Sequence, residues 1–299
     1  MFISHAPRLA KTAFCAATSA LLLACGGGAG TGLEAGHESD QMSTSGVAMD
    51  ATEIAAKTVV KGVATENGPY GQDASAYTLT FSEEFDSFDS GLWNDHMWYE
   101  QSNATKNYAV EDGMLKIWPQ RDANGSFFNR TLDTDGKYTQ TYGYFEIEAK
   151  LPKGKGTWPA FWLFNHIDER RPEIDVMEAY AGGVAPWGVA DGEGVARPTA
   201  YAPTVWKGDH EGQLVGTIQH ATVDLSEDFH KYAVKWEENK QTFYFDGQEV
   251  LTLDVTMGDP MYLMLDLWFG SVSGTPDDST PQGKDNAFEV KYVRAWQFN

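Results

Sequence analysis

Short runs of β-branched and aromatic residues, separated by turn residues, dominate the chain from Ala76 onward. The run 144–151 alternates apolar and charged residues, which is typical of a strand with one buried face. The run 261–268 is almost continuously apolar, as in a strand that is covered on both faces. No window of 12 residues has the periodicity of an amphipathic helix. These patterns restrict the folded part of the chain to strands.

The turn chemistry agrees with this interpretation. Asp246 and Gly247 separate two strand-like runs, 242–245 and 249–253, which is the signature of a β-hairpin. Of the 39 aromatic residues, 36 follow position 75, enough to build a substantial core and to exclude a wholly disordered chain. We predict an all-β fold, a two-sheet antiparallel β-sandwich of jelly-roll type with a concave substrate cleft.

The first 24 residues have the layout of a secretory signal peptide. Arg8 and Lys11 precede an uncharged run of 13 residues, which is shorter than the roughly 20 that a membrane-spanning helix needs. The sequence Leu22-Leu23-Ala24-Cys25 resembles the bacterial lipobox, and this resemblance implies that Cys25 is lipidated. The alternative is ordinary cleavage near Ala24.

Three regions follow from this: a lipoprotein signal peptide (1–24), a flexible tether (25–75) and a catalytic β-jelly-roll domain (76–299). Residues 26–75 contain ten Gly, nine Ser or Thr and a single aromatic residue, so they offer little apolar surface to bury. We expect an exported protein, lipid-anchored to the bacterial cell envelope with the outer membrane favoured, or extracellular.

Charge and cysteine content exclude several classes of function. The formal net charge of −21 disfavours nucleic acid and anionic lipid surfaces, so the lipid anchor is the one membrane contact that we expect. Cys15 and Cys25 are the only cysteines, so the folded domain has no disulfide and no thiolate metal site. We expect a monomer.

Three carboxylates fall within six residues of an otherwise apolar strand, at Glu173, Asp175 and Glu178. Side chains alternate along a regular strand, so Glu173 and Asp175 share a face, about 6.6 Å apart along the backbone. Glu178 joins them if one extra residue forms a β-bulge around Val176 and Met177. We predict that bulge.

Such a set suits glycoside hydrolysis. Retaining glycosidases use two carboxyl groups about 5 to 5.5 Å apart, one as nucleophile and one as proton donor. Glu173 and Glu178 fit these roles, and Asp175 between them would position the pair and raise the pKa of the acid by charge repulsion. By spacing alone, a solvated acidic edge strand explains the pattern equally well.

Longer motifs resolve this choice. The segment Glu173-Ile-Asp-Val-Met-Glu178 resembles the Glu-x-Asp-x-x-Glu motif of glycoside hydrolase family 16, as in laminarinases, agarases and exopolysaccharide depolymerases. Runs that resemble further parts of the family extend across the domain: 79–86 with Trp93, 142–163, 228–236, 243–247 and 292–297. The resemblance implies Glu173 as nucleophile, Asp175 as its assistant and Glu178 as general acid/base.

Sugar rings stack on aromatic side chains, so aromatic residues near the motif are candidate substrate contacts. Trp158 and Trp162 share one face of their predicted strand, Asp266 and Trp268 share a face of another, and Tyr180 lies on the face of Glu178. Trp206, in a loop-rich stretch, is a candidate for an outer subsite. The predicted substrate-binding residues are therefore Trp158, Trp162, Tyr180, Trp206, Asp266 and Trp268.

Two residues depart from the family pattern. Asp266 stands where related enzymes often carry Asn, and Lys291 stands where many members have an Asp that helps to bind a structural calcium. We therefore expect no cofactor and no metal site. His166, His210, His220 and His230 lack the spacing of metal ligands.

The sequence thus predicts a retaining endo-glycoside hydrolase acting on internal β-linkages of a polysaccharide: a β-1,3- or β-1,3-1,4-glucan, or an agar-like galactan. Two alternatives stay open, a non-catalytic carbohydrate-binding protein and a transglycosylase on the same fold. Relatives that only bind sugar would be expected to lack one of the two glutamates, and both are present here.

Overall fold

The computed structural model describes residues 59–61 and 68–299, except positions 169, 183, 184, 186, 209–213 and 222. Four predicted features lie outside the described residues: the signal peptide, the predicted lipidation site Cys25, most of the tether and His210.

Within this part of the chain the secondary structure is almost entirely β, with three short 3-10 helices. The strands, in chain order, are β1 (Val59–Lys61), β2 (Tyr77–Glu83), β3 (Tyr108–Glu111), β4 (Met114–Ile117), β5 (Arg130–Asp133), β6 (Gly143–Lys150), β7 (Thr157–Phe164), β8 (Glu173–Ala179), β9 (Gly188–Ala190), β10 (Ala196–Pro198), β11 (Ala200–Trp206), β12 (Leu214–Gly216), β13 (Gln219–His220), β14 (His230–Glu237), β15 (Lys240–Phe245), β16 (Gln248–Leu253), β17 (Tyr262–Phe269) and β18 (Phe288–Phe298).

The strands form two large sheets. In the nine-stranded sheet the order is β1-β2-β18-β6-β14-β15-β16, with β4 beside β18 and β3 beside β4. In the seven-stranded sheet the order is β12-β11-β8-β7-β17-β5, with β13 also on β11, and β9 and β10 form a separate hairpin. The pairs within both sheets are antiparallel except β1 with β2. The all-β, two-sheet prediction is confirmed.

One large apolar core is built from alternate residues of the strands. Phe145, Ile147 and Ala149 of β6 contribute to it from the nine-stranded sheet, and Leu263, Leu265 and Leu267 of β17 from the seven-stranded sheet. The residues between them, such as Met264 and Asp266, therefore point away from this core, because strand side chains alternate. We call this outer side of the seven-stranded sheet the site face.

The predicted hairpin is present, with β15 and β16 joined at Asp246 and Gly247. Both turn residues have positive φ, 47° and 75°, as a two-residue hairpin turn requires.

The folded sheet begins before Ala76. Strand β1 pairs in parallel with β2, Val59 opposite Phe81, and so takes up residues that the sequence assigns to the tether. The backbone N–H of Tyr70 donates to a carboxylate oxygen of Glu146 on β6. No helix in the described residues is long and apolar enough to cross a membrane.

Candidate active site

The predicted bulge lies in β8. Against β7, Met177 pairs with Phe161 and Asp175 pairs with Trp162, so Val176 is an extra residue between two consecutive partners. Ile174, Val176, Met177 and Ala179 all belong to the core cluster. The extra residue shifts the alternation of side chains by one position. Glu173, Asp175 and Glu178 therefore lie together on the site face, as predicted.

The strand register places further residues beside these acids. Asp175 lies between Trp162 of β7 and Thr204 of β11, and Glu173 lies between Phe164 of β7 and Trp206 of β11. Cross-strand partners share a face of the sheet. Trp206, which the sequence suggested for an outer subsite, therefore ends a strand directly beside Glu173.

A third row contains Glu178. This residue pairs with Ala160 of β7, and Ala160 pairs in turn with Asp266 of β17. The residue between the two acids is a small alanine, which is 5% exposed and belongs to an apolar cluster with Trp162 and Met264. In the next row, Trp158 of β7 pairs with Trp268 of β17.

Glu178 is held by two hydrogen-bond donors on the same oxygen. The Trp158 indole Nε1 donates to Oε1 over 3.0 Å, and the Tyr180 hydroxyl donates to it over 3.1 Å. Burial raises the pKa of Glu178 well above its usual value, with Asp175 adding charge repulsion, while the two donors act in the opposite direction. Glu178 therefore has an environment that favours its protonated form.

Asp175 is 1% exposed and accepts a short hydrogen bond from the Thr204 hydroxyl. Its pKa is raised well above the usual value, first by burial and then by the neighbouring charge of Glu173, with which it also shares a hydrogen bond. A proton on Asp175 that is donated to Glu173 would orient the Glu173 carboxylate. The positioning role of Asp175 stays a prediction.

The six predicted sugar contacts occupy different depths. Trp158, Trp162 and Asp266 are 8%, 7% and 2% exposed, whereas Tyr180 is 1% exposed with its hydroxyl on Glu178. Trp206 and Trp268 are partly exposed. The sequence predicted which residues gather here, but several of them contact one another as much as they line open space.

Sequence reasoning missed two threonines. Thr204 is the donor to Asp175, and Thr131 of β5 accepts the indole N–H of Trp268 over 2.9 Å. They are 29 and 137 positions from their partners, and a lone threonine carries no pattern. Only the strand order could have identified them.

Arg130 is a second kind of missed residue. It is 2% exposed and binds one loop with its guanidinium: it donates to the backbone oxygens of Asp95, Asn103 and Thr105 and to Oδ1 of Asn107, over 2.8 to 3.2 Å. This loop carries Trp98 and Tyr99, which are 39% and 61% exposed.

The same loop borders a cavity of about 770 Å³ at the β5 edge of the seven-stranded sheet. Thr131 and Phe269 also line it, so the cavity adjoins Trp268.

The described residues contain no group of three or more His, Cys, Asp or Glu arranged to hold a metal ion. Lys291 lies 2.5 Å from Glu148 in an ion pair.

A strand that aligns two glutamates and an aspartate on one face, bordered by tryptophans, has the arrangement of carboxyl groups that glycoside hydrolases use. A family model described as Glycosyl hydrolases family 16 matches residues 94–294. The chain belongs to this family.

Relatives and solved structures agree. The Endo-1,3-1,4-beta-glycanase EglC of Rhizobium meliloti (strain 1021) is 28% identical over 264 residues, which cover 76% of this chain and 53% of that protein. A Glucan endo-1,3-beta-glucosidase of Cryptopygus antarcticus is 28% identical over 242 residues, covering 70% of this chain and 84% of that protein. The chain thus spans about half the length of the first curated relatives it matches.

Among solved structures, the laminarinase catalytic domain from Thermotoga maritima MSB8 is similar with a TM-score of 0.59 and 26% identity, covering 74% of this chain and 98% of that one. This similarity supports the jelly-roll arrangement of the two sheets.

Proposed function

We propose that this chain is a retaining endo-β-glucanase that cuts internal β-1,3 or β-1,3-1,4 linkages. The observation that carries the proposal is the bulge at Val176, which brings Glu178 onto the same face as Glu173. Two glutamates on one side of a strand, one of them with a raised pKa, are the pair that double displacement needs.

In the first step, a carboxylate oxygen of Glu173 attacks the anomeric carbon. The bond from this carbon to the leaving oxygen breaks, and its electron pair takes the proton of Glu178. Because Oε1 of Glu178 already accepts two hydrogen bonds, the acid proton is carried on Oε2. The products are a covalent glycosyl-enzyme on Glu173 and a shortened polysaccharide.

In the second step, the Glu178 carboxylate takes a proton from water as the water oxygen attacks the same carbon. Glu173 leaves as a carboxylate and Glu178 is protonated again, so the cycle closes with net retention. Asp175 supports both steps by orienting Glu173 through their shared hydrogen bond.

A neutral glucan is the favoured substrate. The names of EglC and of the Cryptopygus enzyme assign these relatives to 1,3-1,4-β and 1,3-β linkages. The net charge of −21 also disfavours strongly anionic polymers such as carrageenan. An agar-like galactan is the alternative within the same mechanism.

The sequence of residues 1–25 also supports export and a lipid anchor on Cys25. The test is labelling with a fatty-acid analogue in a bacterial host. The wild-type chain should be labelled and recovered with membranes, and Cys25→Ala should be unlabelled. Equal labelling of both chains would contradict the anchor.

The central experiment measures reducing-end release by the whole chain from laminarin, mixed-linkage β-glucan, agarose and carrageenan. Glu173→Gln and Glu178→Gln should each lower turnover by at least about 10³-fold. The matched control is Glu193→Gln, which removes an exposed carboxylate from the turn between β9 and β10. Activity that survives in both site variants would refute the assignment.

Two further readouts separate the mechanism from its alternatives. The first product detected by proton NMR should have the β configuration. With an aryl β-glucoside whose leaving group needs no protonation, azide should restore turnover of Glu178→Ala by attacking the glycosyl-enzyme and forming a β-glycosyl azide. Binding of a polymer without cleavage would favour a carbohydrate-binding protein. Products longer than the substrate at high oligosaccharide concentration would identify a transglycosylase.

A further inference from the structure

Asp266 lies among the tryptophans of the site face. It is 2% exposed, and the strand register places Thr131 on one side of it and Ala160, the neighbour of Glu178, on the other. Burying a carboxyl group costs free energy unless hydrogen bonds offset its desolvation, so the partners of Asp266 are informative.

The hydrogen bonds of Asp266 indicate its role. The Trp162 indole Nε1 donates to Oδ2 of Asp266 over 2.9 Å. The Trp268 indole Nε1 donates to the Thr131 hydroxyl over 2.9 Å, and Thr131 is the cross-strand partner of Asp266, whose pKa it lowers as a hydrogen-bond partner. A hydroxyl that accepts from an indole keeps its own proton for donation, so the two contacts of Thr131 are compatible and form a relay.

The two indoles meet almost at a right angle. The centroids of Trp162 and Trp268 are 6.3 Å apart with an interplanar angle of 81°, and Trp268 meets Trp158 at 85° with 5.4 Å between centroids. Rings in this arrangement form a corner whose shape depends on the rotation of each indole. The N–H group is the one polar atom of the ring, so its acceptor fixes that rotation.

We propose that Asp266 is the positioning residue that sets the orientation of two site-face tryptophans, Trp162 directly and Trp268 through Thr131. One part of this inference rests on the proposed function, namely that these two rings contact sugar. The hydrogen-bond geometry stands without it.

The electrostatic surroundings favour an uncharged Asp266. The groups that act on it from neighbouring elements are acids, Asp175 on β8, Asp133 on β5 and Glu100 in the loop that Arg130 binds, and Tyr262 faces it from its own strand. Burial raises its pKa well above the usual value. Its other oxygen, Oδ1, is buried and has no hydrogen-bond partner, which a charged carboxylate would tolerate poorly.

A neutral side chain of the same shape that accepts a hydrogen bond should therefore be able to take over the role of Asp266. In Asp266→Asn, one amide oxygen remains to accept the Trp162 indole, and the variant cannot titrate. In Asp266→Leu, the size is similar, but the Trp162 indole loses its acceptor and Thr131, which accepts from Trp268, loses its partner on β17. Thr131→Val keeps the shape of Thr131 and breaks only the relay to Trp268.

The first measurement uses the indole N–H signals in ¹H–¹⁵N NMR spectra of the whole chain, assigned with Trp162→Phe and Trp268→Phe. The Asn variant should keep both signals close to their wild-type positions, and the Leu variant should move both. Thr131→Val should move the Trp268 signal alone. This measurement needs no substrate, so it decides the positioning role even if no polysaccharide is cut.

The second measurement is kinetic. Loss of one orienting hydrogen bond per ring should raise KM for laminarin about five- to tenfold in Asp266→Leu, with kcat less affected, and Asn should restore KM to within about twofold.

Three results would overturn the inference. They are unmoved indole signals in a folded Leu variant, a Trp268 signal unchanged by Thr131→Val, and an Asn variant as defective as Leu. The last would assign the carboxyl group itself to the chemistry. If Asp266→Leu fails to fold, Thr131→Val and Asp266→Asn decide the question.

Discussion

At the scale of single residues, the indole N–H groups of three site-face tryptophans end, directly or through one hydroxyl, on an acid. Trp158 donates to Glu178, Trp162 donates to Asp266, and Trp268 reaches Asp266 through Thr131. Trp158 and Trp162 therefore act on the acids as hydrogen-bond donors. Small changes in these contacts should appear in the pH dependence of catalysis.

Tyr180→Phe tests this directly, since it removes one donor to Glu178 and keeps the ring. The hydroxyl lowers the pKa of Glu178, so its loss should raise that pKa further. An acid that keeps its proton to higher pH moves the alkaline limb of kcat/KM upward. The measurement is the pH profile on the preferred glucan, with Tyr142→Phe, on the loop before β6, as control. An unchanged or lowered alkaline limb would contradict the argument.

The sequence predicted much of the site at this scale. Spacing and family resemblance together located Glu173, Asp175 and Glu178, because all three lie within one strand. Thr131, Thr204 and Arg130 could not be predicted, because each acts on residues that only the strand order brings near. Whether each of the six predicted sugar contacts touches substrate stays a prediction.

At the scale of elements, the bulge in β8 and the loop bound by Arg130 shape the site. The bulge was predictable, since three acids in an apolar strand share a face only if the parity changes. The arrangement of the loop was not, because its bonds to Arg130 are made by backbone oxygens. Backbone groups carry no sequence signal.

Arg130→Met should destabilise the protein and loosen this loop. The buried guanidinium satisfies three backbone oxygens and one side chain, and its loss should cost about 3 to 5 kcal/mol of unfolding free energy. Urea titration and proteolysis within 95–107 measure the effect. The control Arg121→Met removes a surface pair with Asp278 and should cost at most about 1 kcal/mol. Equal losses in the two variants would contradict a special role for Arg130.

At the scale of the whole molecule, the two sheets differ in what their outer faces carry. The nine-stranded sheet holds Glu146, which is 1% exposed and accepts hydrogen bonds from the Tyr292 hydroxyl and from the backbone of Tyr70. Burial raises the pKa of Glu146 to about 7. Since Glu146 lies on the sheet opposite to the acids of the site, its titration should affect stability more than turnover.

Titration of Glu146 should lower the free energy of unfolding as pH rises. Glu146 binds its proton more tightly in the folded state than in the unfolded state, so stability is greatest when it is protonated and falls as pH rises from about 4.5 to about 7. The fall should be about 3 kcal/mol.

Urea unfolding at several pH values should show this decline in the wild type and a smaller one in Glu146→Gln. The control Glu249→Gln removes an exposed carboxylate from the same sheet. If the wild type and Glu146→Gln respond to pH identically, the assignment to Glu146 is wrong.

The short strand β1 affects whether this edge of the nine-stranded sheet can pair with another copy of the chain. It covers the outer edge of β2, whose N–H and C=O groups would otherwise face solvent and could pair with the same edge of another copy. A chain cut to begin at Ala76 loses this cover and the Tyr70 bond to Glu146. It should scatter light and precipitate at concentrations where a chain that begins at Gly26 stays dispersed. Equal light scattering by the two chains would show that β2 resists self-association without its neighbour.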